Sequence, residues 1–289
     1  MPQWAVFTGL TALVLFVLLA LARASQSTID DSSSTGDDTH STVGNPSSSV
    51  ESVSPRRDEG MPFDSPPDHD GGATEPIKQP SAEPDTPRRS RSFSTGALLA
   101  NVALSQGLFA VVLAGGAWYA EIPPAALGLS GAPLSTGLPA LGVGIAVGIG
   151  LYLVNELGTL GANAVEIETP DALRESLAPD SRTGWIVLLG VVLPTIAIFE
   201  ELLFRAALIG AFAAGFPISP WLLAVLSSIA FALGHGAQGT IGMVATGGLG
   251  FVLASVFVLT GSFLTVAIAH YLVNALEFAV HEGLGVEWS

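Results

Sequence analysis

Apolar stretches long enough to cross a bilayer recur from one end of this chain to the other. No other feature constrains the fold as much. Residues 4–22, WAVFTGLTALVLFVLLALA, form the first. Further apolar segments predict helices near 95–120, 138–160, 184–215, 219–236, 239–260 and 262–281. About 20 apolar residues wound as a helix span the hydrocarbon core. The expected fold is therefore all-α, a polytopic transmembrane bundle of about seven helices. Composition agrees, since 49% of the residues are hydrophobic and only 12% are charged.

The segments divide the chain. Residues 1–22 predict an N-terminal transmembrane anchor. A cleaved signal peptide is the competing reading, because Ala22-Arg23-Ala24 resembles a cleavage site. The segment ahead of the apolar run has no Lys or Arg, however, which favours an uncleaved anchor. Residues 23–94 are rich in Ser, Pro, Asp and Thr and predict a disordered acidic linker, too poor in large apolar side chains to offset the entropy of ordering. Residues 95–289 make up the membrane domain. Arg88, Arg89 and Arg91 precede its first helix, and Arg23 follows the anchor. By the positive-inside rule the linker is cytoplasmic, on a multi-pass protein of the cell membrane.

Charge and cysteine content exclude several functions. The formal net charge is −15, and Lys78 is the single lysine. No basic face exists to neutralise phosphates, so a nucleic-acid partner is not expected. With no cysteine, disulfides and thiolate chemistry are excluded. The expected partners are the bilayer and a membrane-associated protein or peptide.

Against this apolar background the sequence FEELLFRA, residues 199–206, places Glu200, Glu201 and Arg205 inside a helix. Ionisable groups at such depth are costly and face a bundle interior or a wet cavity. Arg205 lies four residues after Glu201, on the same helical face, where the two can pair. Glu200 points about 100° away and is left for chemistry. His235 ends the next helix. His270 and Asn274, again four apart, share a face of the last. Three helices thus bring polar groups to a common depth. A carboxylate and an imidazole can activate a water, while a second imidazole and an amide stabilise an oxyanion. Alternatively Glu200, His235 and His270 form a ligand set for Zn2+ with a water in the fourth place. Both schemes hydrolyse an amide, and the residues alone leave the choice open. A proton-coupled transporter is the reading from another class, but no internal repeat supports it.

Three smaller expectations follow. Glu277 and His281 continue the His270–Asn274 stripe and read as an end-of-helix pair reaching headgroups and water, the alternative being an extension of the polar cavity toward the surface. His281-Glu282 begins like a zinc-protease HExxH, but Gly285 ends that match. Gly144 and Gly148, at helical spacing, predict close helix packing. The segment 184–215 is long for one crossing, so a tilt or a kink at Pro194 is expected, and a short surface helix should follow Thr169-Pro170.

The motifs EExxxR (Glu200–Arg205), FxxxH (Phe231–His235) and HxxxN (His270–Asn274), ordered on successive apolar segments, resemble the CPBP family of intramembrane proteases, also called the Abi or CAAX-processing type. The resemblance covers about residues 95–289. It implies a helical membrane fold with a conical cavity open to the cytoplasmic side and the bilayer. It also implies water activation by Glu200 and His235, an oxyanion pocket from His270 and Asn274, and support from Glu201 and Arg205. Family members are described both as metalloproteases and as metal-free glutamate proteases. Asn274, a better oxyanion donor than metal ligand, inclines the reading to the metal-free scheme. Some members are linked to bacteriocin self-protection, so a non-proteolytic binding or immunity protein on the same scaffold is the alternative.

Overall fold

In hydrocarbon every backbone N–H and C=O must be paired within the chain, which leaves a continuous apolar segment no cheaper form than the helix. The computed structural model describes residues 1–34, 95–163 and 172–286, and among these the architecture is helical throughout, without strands. Helix α1 spans Trp4–Ser34, α2 Thr95–Tyr119 and α3 Leu138–Asn163. A surface helix α4 covers Ala172–Leu177, where one was expected after Pro170. The long α5 runs Arg182–Gly215, followed by α6 Pro220–Gly234, α7 Gly239–Thr260 and α8 Phe263–Gly283. Six of these are long and apolar enough to cross a membrane, and α6 is a shorter apolar helix. The protein is a multi-pass membrane protein, with large side chains such as Leu104, Leu108, Trp118, Leu153 and Val244 exposed on its outer surface.

Three sequence expectations take a different form. The first helix continues to Ser34, so the opening residues of the expected linker are helical, and the remainder of that linker lies outside the described residues. The N-terminal helix is not merely a tether. Phe7 and Val14 are buried in a core cluster with Leu113, Phe199 and Phe204, because Gly116 and Gly215 leave room for Leu10 and Trp4. Pro194 does not break α5. A wide π-helical turn over Leu188–Val192 precedes it, and a second π stretch covers Leu202–Ala211. Such turns absorb the strain of a proline and re-aim the side chains that follow.

Small residues and hydroxyls fix the remaining geometry. A Cβ on Gly144 would sit 2.8 Å from the Thr265 carbonyl oxygen, and one on Gly148 would sit 2.9 Å from that of Ala269. Glycine at both positions therefore lets α3 lie directly against α8. Ser262 caps α8 by accepting from the Thr265 N–H at 3.0 Å, and its hydroxyl donates to the Ser135 carbonyl at 2.7 Å. Thr265 donates to the Ala140 carbonyl at 3.1 Å. These bonds pin the start of α8, and hence the depth of His270, Asn274, Glu277 and His281.

Candidate active site

The second half of α5 is buried on nearly all sides, which requires its charged groups to find partners within the protein. Arg205 is 1% exposed and Glu201 fully buried. The Arg205 Nη1 donates to Glu201 Oε1 at 2.6 Å, the i to i+4 pairing expected from the spacing. Nη2 donates to the Gly250 carbonyl of α7 at 2.9 Å, and the guanidinium lies over the Phe231 ring, 4.7 Å from its centroid. Gly250 is necessary for this arrangement. A Cβ there would come within 2.8 Å of Phe231 and 3.5 Å of Arg205 Nη2. Neither role is legible in the sequence, where Phe231 stands only as a letter of the FxxxH motif.

Glu201 also reaches α8. Its Oε1 accepts from His270 Nδ1 at 2.7 Å. The paired carboxylate can only accept, so Nδ1 carries the proton and Nε2 is directed elsewhere. It lies 3.6 Å from Glu200 Oε2. His235 is oriented in the same manner. Its Nδ1 donates to the Phe231 carbonyl at 2.8 Å, which leaves Nε2 facing Glu200 Oε1 at 4.0 Å. Phe231 sits between the two imidazoles, 4.5 Å from His235 and 6.0 Å from His270 by ring centroids. The structure thus brings Glu200, Glu201, Arg205, His235 and His270 into one cluster from α5, α6 and α8. Asn274 lies one turn beyond His270, half-buried. Its side chain makes no hydrogen bond among the described residues.

The division of labour between the two acids is visible in their partners. Glu201 is committed to Arg205 and His270. Glu200, 8% exposed, has a buried Oε2 without a hydrogen-bond partner and two imidazole nitrogens within 4.0 Å. A water 2.8 Å from both Glu200 Oε1 and His235 Nε2 would subtend about 90° at its oxygen, a workable hydrogen-bonding angle.

The donor types also suit zinc, and both imidazoles have the backbone or carboxylate partner that orients a metal ligand. The spacing does not. Ligand atoms around a tetrahedral zinc lie about 3.4 Å apart. Among the described residues, the group of three whose ligand atoms all fall within 4.8 Å of one another is Glu156, Glu277 and His281, not Glu200, His235 and His270. As the side chains stand, the ligand atoms of the α5–α6–α8 cluster are too widely spaced for one tetrahedral ion.

Residues 182–276 match the family of Rce1-like type II CAAX prenyl endopeptidases. The match spans α5 to α8 and includes every residue of the cluster. The matched family is one of CAAX-type endopeptidases, in agreement with the resemblance carried by the three motifs. No curated protein and no solved structure matches the chain.

One expectation about the end of α8 is overturned. Glu277 and His281 do not reach outward as a free pair. His281 Nε2 lies 2.8 Å from Glu156 of α3, and Glu277 accepts a short hydrogen bond from Asn155. Arg174 of α4 contacts Glu277 at 3.4 Å and Glu282 at 2.9 Å. The reason is the close α3–α8 packing that Gly144 and Gly148 permit, which draws Glu156 against the last helix. No local spacing in the sequence ties Asn155 or Glu156 to the last helix.

Proposed function

We propose that this protein is an intramembrane endopeptidase that cleaves a peptide bond in a membrane-associated protein, with Glu200 as the base. The observation that carries the reading is the difference between the two adjacent acids: Glu201 is locked into an ion cluster, and Glu200 faces two oriented imidazoles. A water held by Glu200 and His235 gives its proton to Glu200 as it attacks the scissile carbonyl. Glu200 then passes that proton to the leaving amine. His270 and Asn274, one turn apart, offer N–H donors to the developing oxyanion. With Nδ1 on Glu201, His270 donates through Nε2 only in the imidazolium form. Glu201 and Arg205 hold the imidazole in place.

The mechanism so written needs no metal at this cluster. A prenylated C-terminal tail is the substrate class that the family match favours. The acidic linker lies on the cytoplasmic side, and residues 95–289 form the catalytic domain.

The test uses the purified full chain in detergent with quenched peptides, prenylated and not. Native chain, Glu200→Gln and His235→Ala are compared, each with and without a strong chelator. Cleavage by the native chain that survives chelation and falls about 10²–10⁴-fold in Glu200→Gln supports the reading. Full activity in Glu200→Gln refutes the assigned base. Activity lost to chelator in the native chain refutes the metal-free scheme.

A further inference from the structure

A proline inside a membrane helix strands a carbonyl, and here α8 supplies the group that answers it. Pro194 has no N–H to give. In the wide turn ahead of it, the Leu193 N–H donates to the Leu188 carbonyl. An α turn would bring the Leu193 N–H to the Leu189 carbonyl, and a π turn would bring that of residue 194. The first is spent on Leu188 and the second does not exist. Such a carbonyl within hydrocarbon is costly unless a side chain takes it up. The Tyr271 hydroxyl of α8 does so, donating to the Leu189 carbonyl at 3.1 Å across 82 positions.

Tyr271 follows His270 directly, and the two residues grip α5 at separate places. His270 holds Glu201, after the proline, at 2.7 Å. Tyr271 holds Leu189, before it. One such contact leaves a helix free to turn or slide about it. Two contacts, on either side of Pro194, fix both the rotation and the depth of α8 against α5. Glu200 lies on the stretch of α5 between these anchors. The 3.6 Å from its Oε2 to His270 Nε2 therefore depends on both. Asn274 lies three positions after Tyr271 and is set by the same pair. The Tyr271 ring packs against the cluster that holds Leu188, Val192 and Leu193, which directs its hydroxyl at the turn.

The helix that carries the other imidazole is anchored alike. Buried Ser227 of α6 donates to the Phe204 carbonyl at 2.6 Å. Leu189 belongs to the first π turn of α5 and Phe204 to the second. Both histidine-bearing helices are thus bonded by a hydroxyl to carbonyls of the π-wound sections that flank Glu200. Neither hydroxyl touches the reacting groups, and the proposed chemistry does not use them.

We propose that Tyr271 is a positioning residue of the hydrolytic site. Through the carbonyl that Pro194 leaves without a backbone donor, it sets the register of α8 and so places His270 and Asn274 against Glu200. The catalytic consequence rests on the endopeptidase reading, whereas the placement of His270 does not.

The test compares Tyr271→Phe, Pro194→Ala and the double variant with the native full chain in detergent. Tyr271→Phe keeps the ring and its packing and removes only the hydroxyl. In peptide cleavage its kcat should fall about tenfold or more with KM little changed, because misplaced donors weaken the transition state rather than substrate binding. Pro194→Ala returns an N–H to α5, so the Leu189 carbonyl no longer depends on Tyr271. Removing the hydroxyl in that background should cost at least about threefold less in kcat than it does in the native chain. A second readout is independent of hydrolysis. The proton on His270 Nδ1, bonded to Glu201, is followed by nuclear magnetic resonance and assigned by its loss in His270→Ala. Its exchange with solvent should quicken at least about tenfold in Tyr271→Phe, as the contact opens more often. If the native chain cleaves no peptide, the endopeptidase reading fails and this resonance alone decides the placement of His270. An unchanged resonance overturns the proposal. So does an unchanged kcat in Tyr271→Phe, or an equal fold-loss with and without Pro194. Should Tyr271→Phe fail to fold, recovery of folding in the double variant supports the proposal and its absence overturns it.

Discussion

Replacing Arg205 with methionine tests how the buried ion cluster is held together. The substitution nearly keeps the side-chain volume. It removes the 2.6 Å ion pair with Glu201, the hydrogen bond to the Gly250 carbonyl and the charge over Phe231. What remains is a fully buried Glu201 carboxylate with His270 as its only remaining partner among the described residues. Removing one partner of a buried pair costs about 3–5 kcal/mol, mainly because the other charge is left uncompensated. Glu201→Gln strands the arginine instead and should cost a similar amount. The double variant, Glu201→Gln with Arg205→Met, strands neither. Its loss should fall short of the sum of the single losses by at least about 2 kcal/mol, as expected for coupled neighbours. Reversible unfolding in mixed micelles, followed by circular dichroism, measures all three. Strictly additive losses would refute the view that Glu201 and Arg205 exist to neutralise each other.

Three further outcomes are expected. Gly148→Val places a branched side chain against Ala269 and Leu272, where even a Cβ comes within 2.9 Å, so α3 must move off α8. Stability should drop by about 1–3 kcal/mol, read by thermal unfolding in detergent, and an unchanged melting temperature would show that α3 and α8 need not pack this closely. Gly250→Ala pushes a methyl into Phe231, the ring that separates His235 from His270. Peptidase activity should fall more than thermal stability, and an unchanged kcat would show that Phe231 does not position the imidazoles. Phe7→Ala opens a cavity where α1 meets α2 and α5. Its cost should be on the order of 2 kcal/mol, below that of a water-soluble core, because lipid is as apolar as the site vacated and only packing is lost; a melting temperature equal to that of the native chain would show that α1 is a tether.

The sequence by itself determined what depends on neighbours along the chain. Apolar length dictated helices, and the i to i+4 spacing dictated that Glu201 meets Arg205 and that His270 and Asn274 share a face. A charge in an apolar helix announced a site, because hydrocarbon leaves it no cheaper place. The tertiary structure decided which distant groups answer those charges. Glu201 is bonded to His270 across 69 positions, Arg205 to the Gly250 carbonyl across 45, and Glu156 to His281 across 125. No local pattern encodes such pairs. They follow from π turns in α5 that shift the register of its side chains, and from glycines whose missing Cβ atoms set how near α3 can approach α8. Helix formation is set by the residues within one turn, whereas the meeting of two helices is set by packing across the whole bundle.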